Sequence, residues 1–120
     1  MIFHIRGSEV SLEPVPDDEH HSGDAVSAYA TLFASRDGAV EVGLWEFEGE
    51  QRAAEQDGYE EVVICLDGSV EIECDGGTYS LKAGDIIVYD CPIGPKHLRS
   101  PDGFKAAYVV RHRGQRGTAD

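Results

Sequence analysis

Apolar and polar residues run in short blocks broken by glycine-containing turns, and the period within the blocks is two rather than 3.6. Segment SVEIEC alternates cleanly, with Val70, Ile72 and Cys74 on one face and Glu71 and Glu73 on the other, the pattern of a half-buried strand. EVVICL and IIVY are continuous apolar runs, which suit strands covered on both sides. Asp-Gly pairs favour the positive φ angles of tight hairpins. They recur at Asp37-Gly38, Asp57-Gly58, Asp67-Gly68, Asp75-Gly76 and Asp102-Gly103. The pattern between them predicts strands at Ile2–Ile5, Val26–Phe33, Ala39–Phe47, Glu61–Leu66, Val70–Cys74, Thr78–Leu81, Ile86–Tyr89, His97–Ser100 and Phe104–Arg111. Helical periodicity is nearly absent; Gly49–Gln56 has a weak apolar face and room for a turn or two. Glu13–Asp24 is polar, holds two prolines and reads as a loop or arm. Many short, evenly spaced strands predict an all-β sandwich or barrel. One domain over 1–113 is expected, with 114–120 as a disordered tail.

Composition narrows the partners. The 120 residues are enough for one core. A formal net charge of -13 repels phosphate backbones and anionic lipid, so neither nucleic acid nor a membrane surface is an expected partner. The charge is uneven. Lys96, Arg99, Lys105, Arg111, Arg113 and Arg116 face only Asp102 in their stretch, as a basic lip for an anionic ligand or as a solvated strand face. No run approaches the ~20 apolar residues of a membrane span, and MIFHIRGSEV lacks the apolar stretch of a signal peptide. The three cysteines, Cys65, Cys74 and Cys91, are odd in number and show no CxxC spacing. That argues against a disulfide framework or zinc knuckle and for a reducing, cytoplasmic location. Three lysines against seven arginines hint at a GC-rich bacterial genome.

From Glu61 onward the motifs resemble those of the cupins. EEVVICLDG supplies the Glu61, six residues and Gly68 that end the first cupin motif. AGDIIVYDCPIGPKH supplies Gly84, Asp85, Pro92, Gly94 and His97 of the second, with two extra residues between Gly84 and Pro92. The upstream GLWEFEGEQ is similar to the entry of small cupins grouped with ureidoglycine aminohydrolases and ethanolamine-utilisation proteins. The likeness spans roughly residues 41–111. It implies an all-β, cupin-type double-stranded β-helix barrel (a jelly roll), a pocket inside it, and commonly a homodimer. An apolar Ile2, Phe3 and Ile5 strand adding to a partner's sheet edge would serve such a dimer.

The same resemblance implies a site. The positions of the two motif histidines hold Glu55 and Asp57, and with Glu61 and His97 these side chains are expected to point into the barrel. One imidazole and three carboxylates suit a hard or borderline divalent ion such as Mn²⁺, Mg²⁺ or Fe²⁺. The expected cofactor is therefore a divalent metal (Mn, Fe, Ni or Zn), and no cofactor stands beside it as the alternative. Carboxylates that converge without a cation repel, so the alternative has Glu55 and Asp57 facing solvent beside Gly58. His97 and Glu61 are the candidate catalytic residues, His97 because imidazole titrates near neutrality; its alternative is a surface histidine. His4, His20, His21 and His112 have weaker claims. A Cys65–His97 nucleophile pair is conceivable, against an inert packing cysteine; Cys91 is expected to be the most exposed thiol. Tyr59, Tyr89, Tyr108, Trp45 and Phe47 are candidate pocket walls. GTYSLKAGD lacks the loop and helix of a phosphate site.

Three functions fit these residues. The first is a metal-dependent hydrolase, lyase or isomerase acting on a small polar metabolite. The second is a metal-free acid/base cupin using His97 and a carboxylate. The third is a ligand-binding or accessory cupin without catalysis.

Overall fold

The computed structural model describes residues 1–14 and 21–113. It contains eight strands: β1 (Glu13–Pro14), β2 (His21–Gly23), β3 (Val26–Ala34), β4 (Val40–Ala53), β5 (Tyr59–Cys74), β6 (Gly77–Lys82), β7 (Ile86–Asp90) and β8 (Lys96–His112). All pairings are antiparallel, in the order β1-β3-β4-β8-β5-β6, with β2 on β4 and β7 on β5.

Three of these strands are long because each serves both halves of a jelly roll. The early part of β4 and the late part of β8 pair as Val40↔Arg111 through Phe47↔Phe104. After a bulge the same two strands pair again as Gly49↔Ser100 through Ala53↔Lys96. β5 likewise pairs with β7 through its first half and with β6 through its second. Phe47, Val63, Cys65, Tyr89, Phe104 and Ala106 from one half form a single buried cluster with Val70, Ile72, Leu81 and Leu98 from the other, so the halves pack face to face.

Two expected hairpins are corners instead. Asp67-Gly68 and Asp102-Gly103 lie inside β5 and β8, where each strand bends from one half to the other. Gly68 has φ +76°, and a Cβ there would stand 2.2 Å from the Gly103 carbonyl oxygen; only glycine lets the corners approach this closely. Asp75-Gly76, by contrast, does close a hairpin between β5 and β6, with φ of 50° and 78°.

Other expectations are corrected. Gly49–Gln56 is not helical: through Ala53 it continues β4, because Gln51 and Ala53 pair with Leu98 and Lys96 across the sheet. Ile2–Ile5 is not a strand. The segment lies against the outer surface instead, with Phe3 5.3 Å from Phe33 between ring centroids and Gly7 beside Leu44. Glu13–Asp24 contributes β1 and β2 and is not simply a loop. His20 and the tail from 114 lie outside the described residues, as does the side chain of His21. Among the described residues no helix is long and apolar enough to cross a membrane.

Candidate functional site

Strand alternation decides which side chains reach the barrel interior. In β8, Lys96, Leu98 and Ser100 share one face, while His97 and Arg99 share the other. Buried Leu98 marks the inward face, so Lys96 enters the barrel and His97 does not. In β5, Glu61 shares parity with buried Val63 and Cys65. Its direct cross-strand partner in β7 is Tyr89.

These residues line a cavity of about 370 Å³, within the size range of small-molecule sites. Glu61 and Lys96 are its charged groups, and Trp45, Tyr29, Tyr89 and Tyr108 provide aromatic wall. Ser27, Gln51 and Gln56 add neutral polar groups. Trp45 is held by an indole N–H donated to Ser27 Oγ at 2.7 Å, and its ring packs on Phe47 and Phe104 at 5.7 and 5.1 Å. Gly43 gives Tyr108 its place: a Cβ at Gly43 would stand 2.3 Å from that ring.

Lys96 is 8% exposed, and its ammonium stands 4.2 Å from the Tyr89 ring centroid, a cation–π contact. Among the described residues it has no hydrogen-bond acceptor and no ion pair. An ammonium has three protons to place, and burying them unplaced is costly. Burial accordingly lowers the Lys96 pKa, and the negative charge of Glu61 opposes the shift. Burial also raises the Glu61 pKa, and the positive charge of Lys96 opposes that shift. Both groups are pushed toward their neutral forms. The Gln56 Oε1 atom, on the same cavity, is buried and accepts no hydrogen bond.

The four expected metal ligands do not converge. Glu55 and Asp57 are exposed between β4 and β5, where Asp57 Oδ1 accepts the Gly58 N–H at 2.7 Å. His97 is buried on the opposite face of β8 from Lys96, with Nε2 2.6 Å from Glu50 Oε1. Of the four, Glu61 alone lines the cavity. Among the described residues, no group of three or more His, Cys, Asp or Glu is arranged to hold a metal ion. A single carboxylate sharing its cavity with a lysine does not fit a divalent metal.

The alternatives for Cys65 and for the basic stretch are decided too, and the expectation of an exposed Cys91 is corrected. All three thiols are free and buried, and burial raises the pKa of each. Cys65 sits in the core with its Sγ directed to the Asp67 and Gly68 carbonyls at 3.6 Å, so it makes no pair with His97. Cys91 is enclosed because its carbonyl accepts from Arg113 Nη1 at 2.8 Å and its N–H donates to Tyr59. The basic residues form no lip: Arg99 pairs with Glu71 and Glu73, Lys105 with Glu46, Arg111 with Glu60, and Arg113 with Asp90. Arg116 lies outside the described residues. Of the aromatics, Trp45, Tyr89 and Tyr108 line the cavity, Phe47 belongs to the core, and Tyr59 packs against it.

Gln51, Gln56 and Ser27 were not among the sequence candidates, and Lys96 was named only as part of the basic stretch. Lys96 was legible in the alternation of KHLRS, because Leu98 shares its face. Gln56 lies outside the strands and carries no such signal.

No family model matches the chain, and no curated protein matches its sequence. Solved structures match its fold. A predicted oxalate decarboxylase from Thermotoga maritima has a TM-score of 0.74 at 15% identity, over 92% of this chain and 99% of that one. The Schizosaccharomyces pombe Cnp3 cupin domain reaches 0.73 at 11% identity, over 97% and 78%. A putative ethanolamine utilization protein Q from Salmonella typhimurium reaches 0.63 at 19% identity, over 74% and 72%. The fold is thus the cupin jelly roll that the motif residues implied, and it is shared with a small cupin of the ethanolamine-utilisation group.

Proposed function

We propose that this protein is a small-molecule cupin that takes a compact polar organic ligand into the barrel and moves protons on it with Glu61 and Lys96. The observation that carries the reading is the nine-tenths-buried Lys96 side chain that no acceptor among the described residues satisfies. A ligand oxygen placed there gains a charge-assisted hydrogen bond, and a ligand donor satisfies Gln56 Oε1. Glu61 and Lys96 share the cavity, and burial moves their pKa values toward each other, the setting in which protons pass readily between such groups and a bound ligand. Aromatic walls supply stacking surface. Of the two candidate catalytic residues, Glu61 is retained, and Lys96 takes the role expected of His97.

Trp45 is the single tryptophan of the chain and lines the cavity, so its fluorescence reports occupancy. A panel of small hydroxy acids and hydroxycarbonyl compounds is titrated against the wild type, Lys96→Met and Glu61→Gln. Losing a charged hydrogen bond weakens binding about ten-fold or more, and that loss is expected for Lys96→Met. Equal affinity in all three proteins would overturn the reading. Binding without conversion of any ligand would leave a binding module without catalysis.

We infer a homodimer as well, formed on the outer face of the half-sheet that holds β7. There Val88, Val62, Val109 and Val42 align across four strands, as do Ile86, Ile64, Ala107 and Leu44. Ile86 and Val88 are 60% and 59% exposed on an edge strand that pairs only with β5. A charge-free, two-row surface on so acidic a chain suits a second copy of itself, since it is where two such chains approach without like-charge repulsion.

A further inference from the structure

Resting on the cavity reading above, we infer that Lys96 condenses with the carbonyl group of a small hydroxyaldehyde or hydroxyketone to form an imine, with Glu61 carrying the protons. Three observations point there. First, Lys96 is nine-tenths buried in a cavity large enough for such a molecule, and no described residue holds its amine in an ion pair. A lysine so placed is a nucleophile rather than a structural cation. Second, Glu61 lines the same cavity on the neighbouring β5, and Tyr89, its cross-strand partner, lies under the amine. Third, Gln56 Oε1 is a buried acceptor without a donor on the same cavity. A carbonyl compound that also bears a hydroxyl satisfies it; a simple ketone does not.

The chemistry balances without an oxidant or a metal. The Nζ lone pair attacks the carbonyl carbon, forming C–N while the C=O π bond opens. Protonated Glu61 delivers its proton to the oxygen, and the resulting carboxylate takes a proton from nitrogen, giving the carbinolamine. A second exchange protonates the hydroxyl, which leaves as water, while the remaining N–H proton returns to Glu61. The product is the neutral imine. The titratable groups whose charge bears on Lys96 are Glu61 and Cys74 on β5 and Cys91 just beyond β7, and the ring under its amine is Tyr89 on β7. All except Glu61 are neutral in their ordinary states near pH 7, so the amine meets one acid with which to trade protons.

The experiment traps the imine. Full-length protein is incubated with hydroxyacetone and cyanoborohydride near neutral pH, and the reduced secondary amine is mapped by peptide mass spectrometry. The chain has three lysines, and Lys82 and Lys105 lie on the surface, Lys105 paired with Glu46 at 3.6 Å. The expected result is modification at Lys96 with Lys82, Lys105 and the N-terminus at background. Acetone, which lacks the hydroxyl, is expected to label Lys96 at least about ten-fold less. Glu61→Gln is expected to slow trapping by about a hundred-fold, the size of a lost general-acid contribution. Lys96→Arg keeps the charge and removes the nucleophile; it is expected to abolish trapping. Labelling spread over all the amines, or absent from Lys96 while Trp45 fluorescence still responds, overturns the imine and leaves the ligand-binding reading intact. Absence of both labelling and fluorescence response overturns the imine with hydroxycarbonyls. If the other panel compounds are silent as well, the cavity reading falls with it.

Discussion

Lys96 and Glu61 each have the opposite charge as company, yet burial acts on both more strongly than that charge does. Raised Glu61 favours the folded state at low pH, and its contribution is lost as pH rises through the folded value. Lowered Lys96 works in the same sense on the charged form: between its folded value and 10.5 the unfolded chain holds more protons, so stability rises with pH. Replacing Glu61 by Gln removes a loss that grows with pH and drives Lys96 lower still. Relative to the wild type, Glu61→Gln is therefore expected to be more destabilised near pH ~7 than near pH ~10, as measured by urea unfolding at the two pH values. Equal differences at both would mean that Glu61 does not bear on Lys96. His97 makes the contrasting case. One residue along, on the other face of the strand, its imidazole is spent on Glu50.

Elements here are set by corners as much as by strands. Reading the sequence divides β5 and β8 at Asp67-Gly68 and Asp102-Gly103, because the Asp-Gly pair is a hairpin signal. Locally that reading is sound, and it is correct at Asp75-Gly76. What differs is the neighbour across the sheet: Gly68 stands against Gly103, so the chain bends without reversing. Gly68→Ala combines a strained φ with a backbone clash and is expected to cost about 2 kcal/mol or more. Gly84 has φ +95° but open space around its Cβ direction, so Gly84→Ala is expected to cost only about 1–2 kcal/mol. Urea denaturation of both variants checks the difference; equal costs would mean that the corner yields. The turn or two of helix for which Gly49–Gln56 has room does not form, for a related reason. A weak apolar face over eight residues is overridden when Gln51 and Ala53 can extend β4 beside β8.

At the scale of the whole molecule, the two halves enclose the cavity, and one outer face remains apolar. The N-terminal segment covers the Phe33 and Leu44 end of that face and leaves Ile86 and Val88 open. The proposed dimer is therefore assigned to the β7 and β5 end rather than to strand addition by Ile2–Ile5. Light scattering of the wild type is expected to give twice the chain mass, and Val88→Glu, which sets like charges against each other across a two-fold axis, is expected to give the chain mass. A monomeric wild type, or a Val88→Glu protein that stays dimeric, would count against this face.

The sequence by itself determined the fold class. Period-two alternation and glycine turns demand strands, and Glu61, Gly68, Gly84 and Pro92 lie at spacings that resemble cupin motifs. The cupin resemblance also pointed Glu61 inward, and of the four residues it pointed there Glu61 is the one that lines the cavity. Only the tertiary structure decided the rest of the site. Which residues face one another across a barrel depends on strand register and on where long strands turn their corners, and both are set by contacts far apart in the chain. Alternation in KHLRS sets Lys96 on the Leu98 face and His97 on the other; register brought Lys96 to the cavity that Glu61 lines, left Glu55 and Asp57 exposed, and put Gln56 beside a cavity that no local pattern foretells.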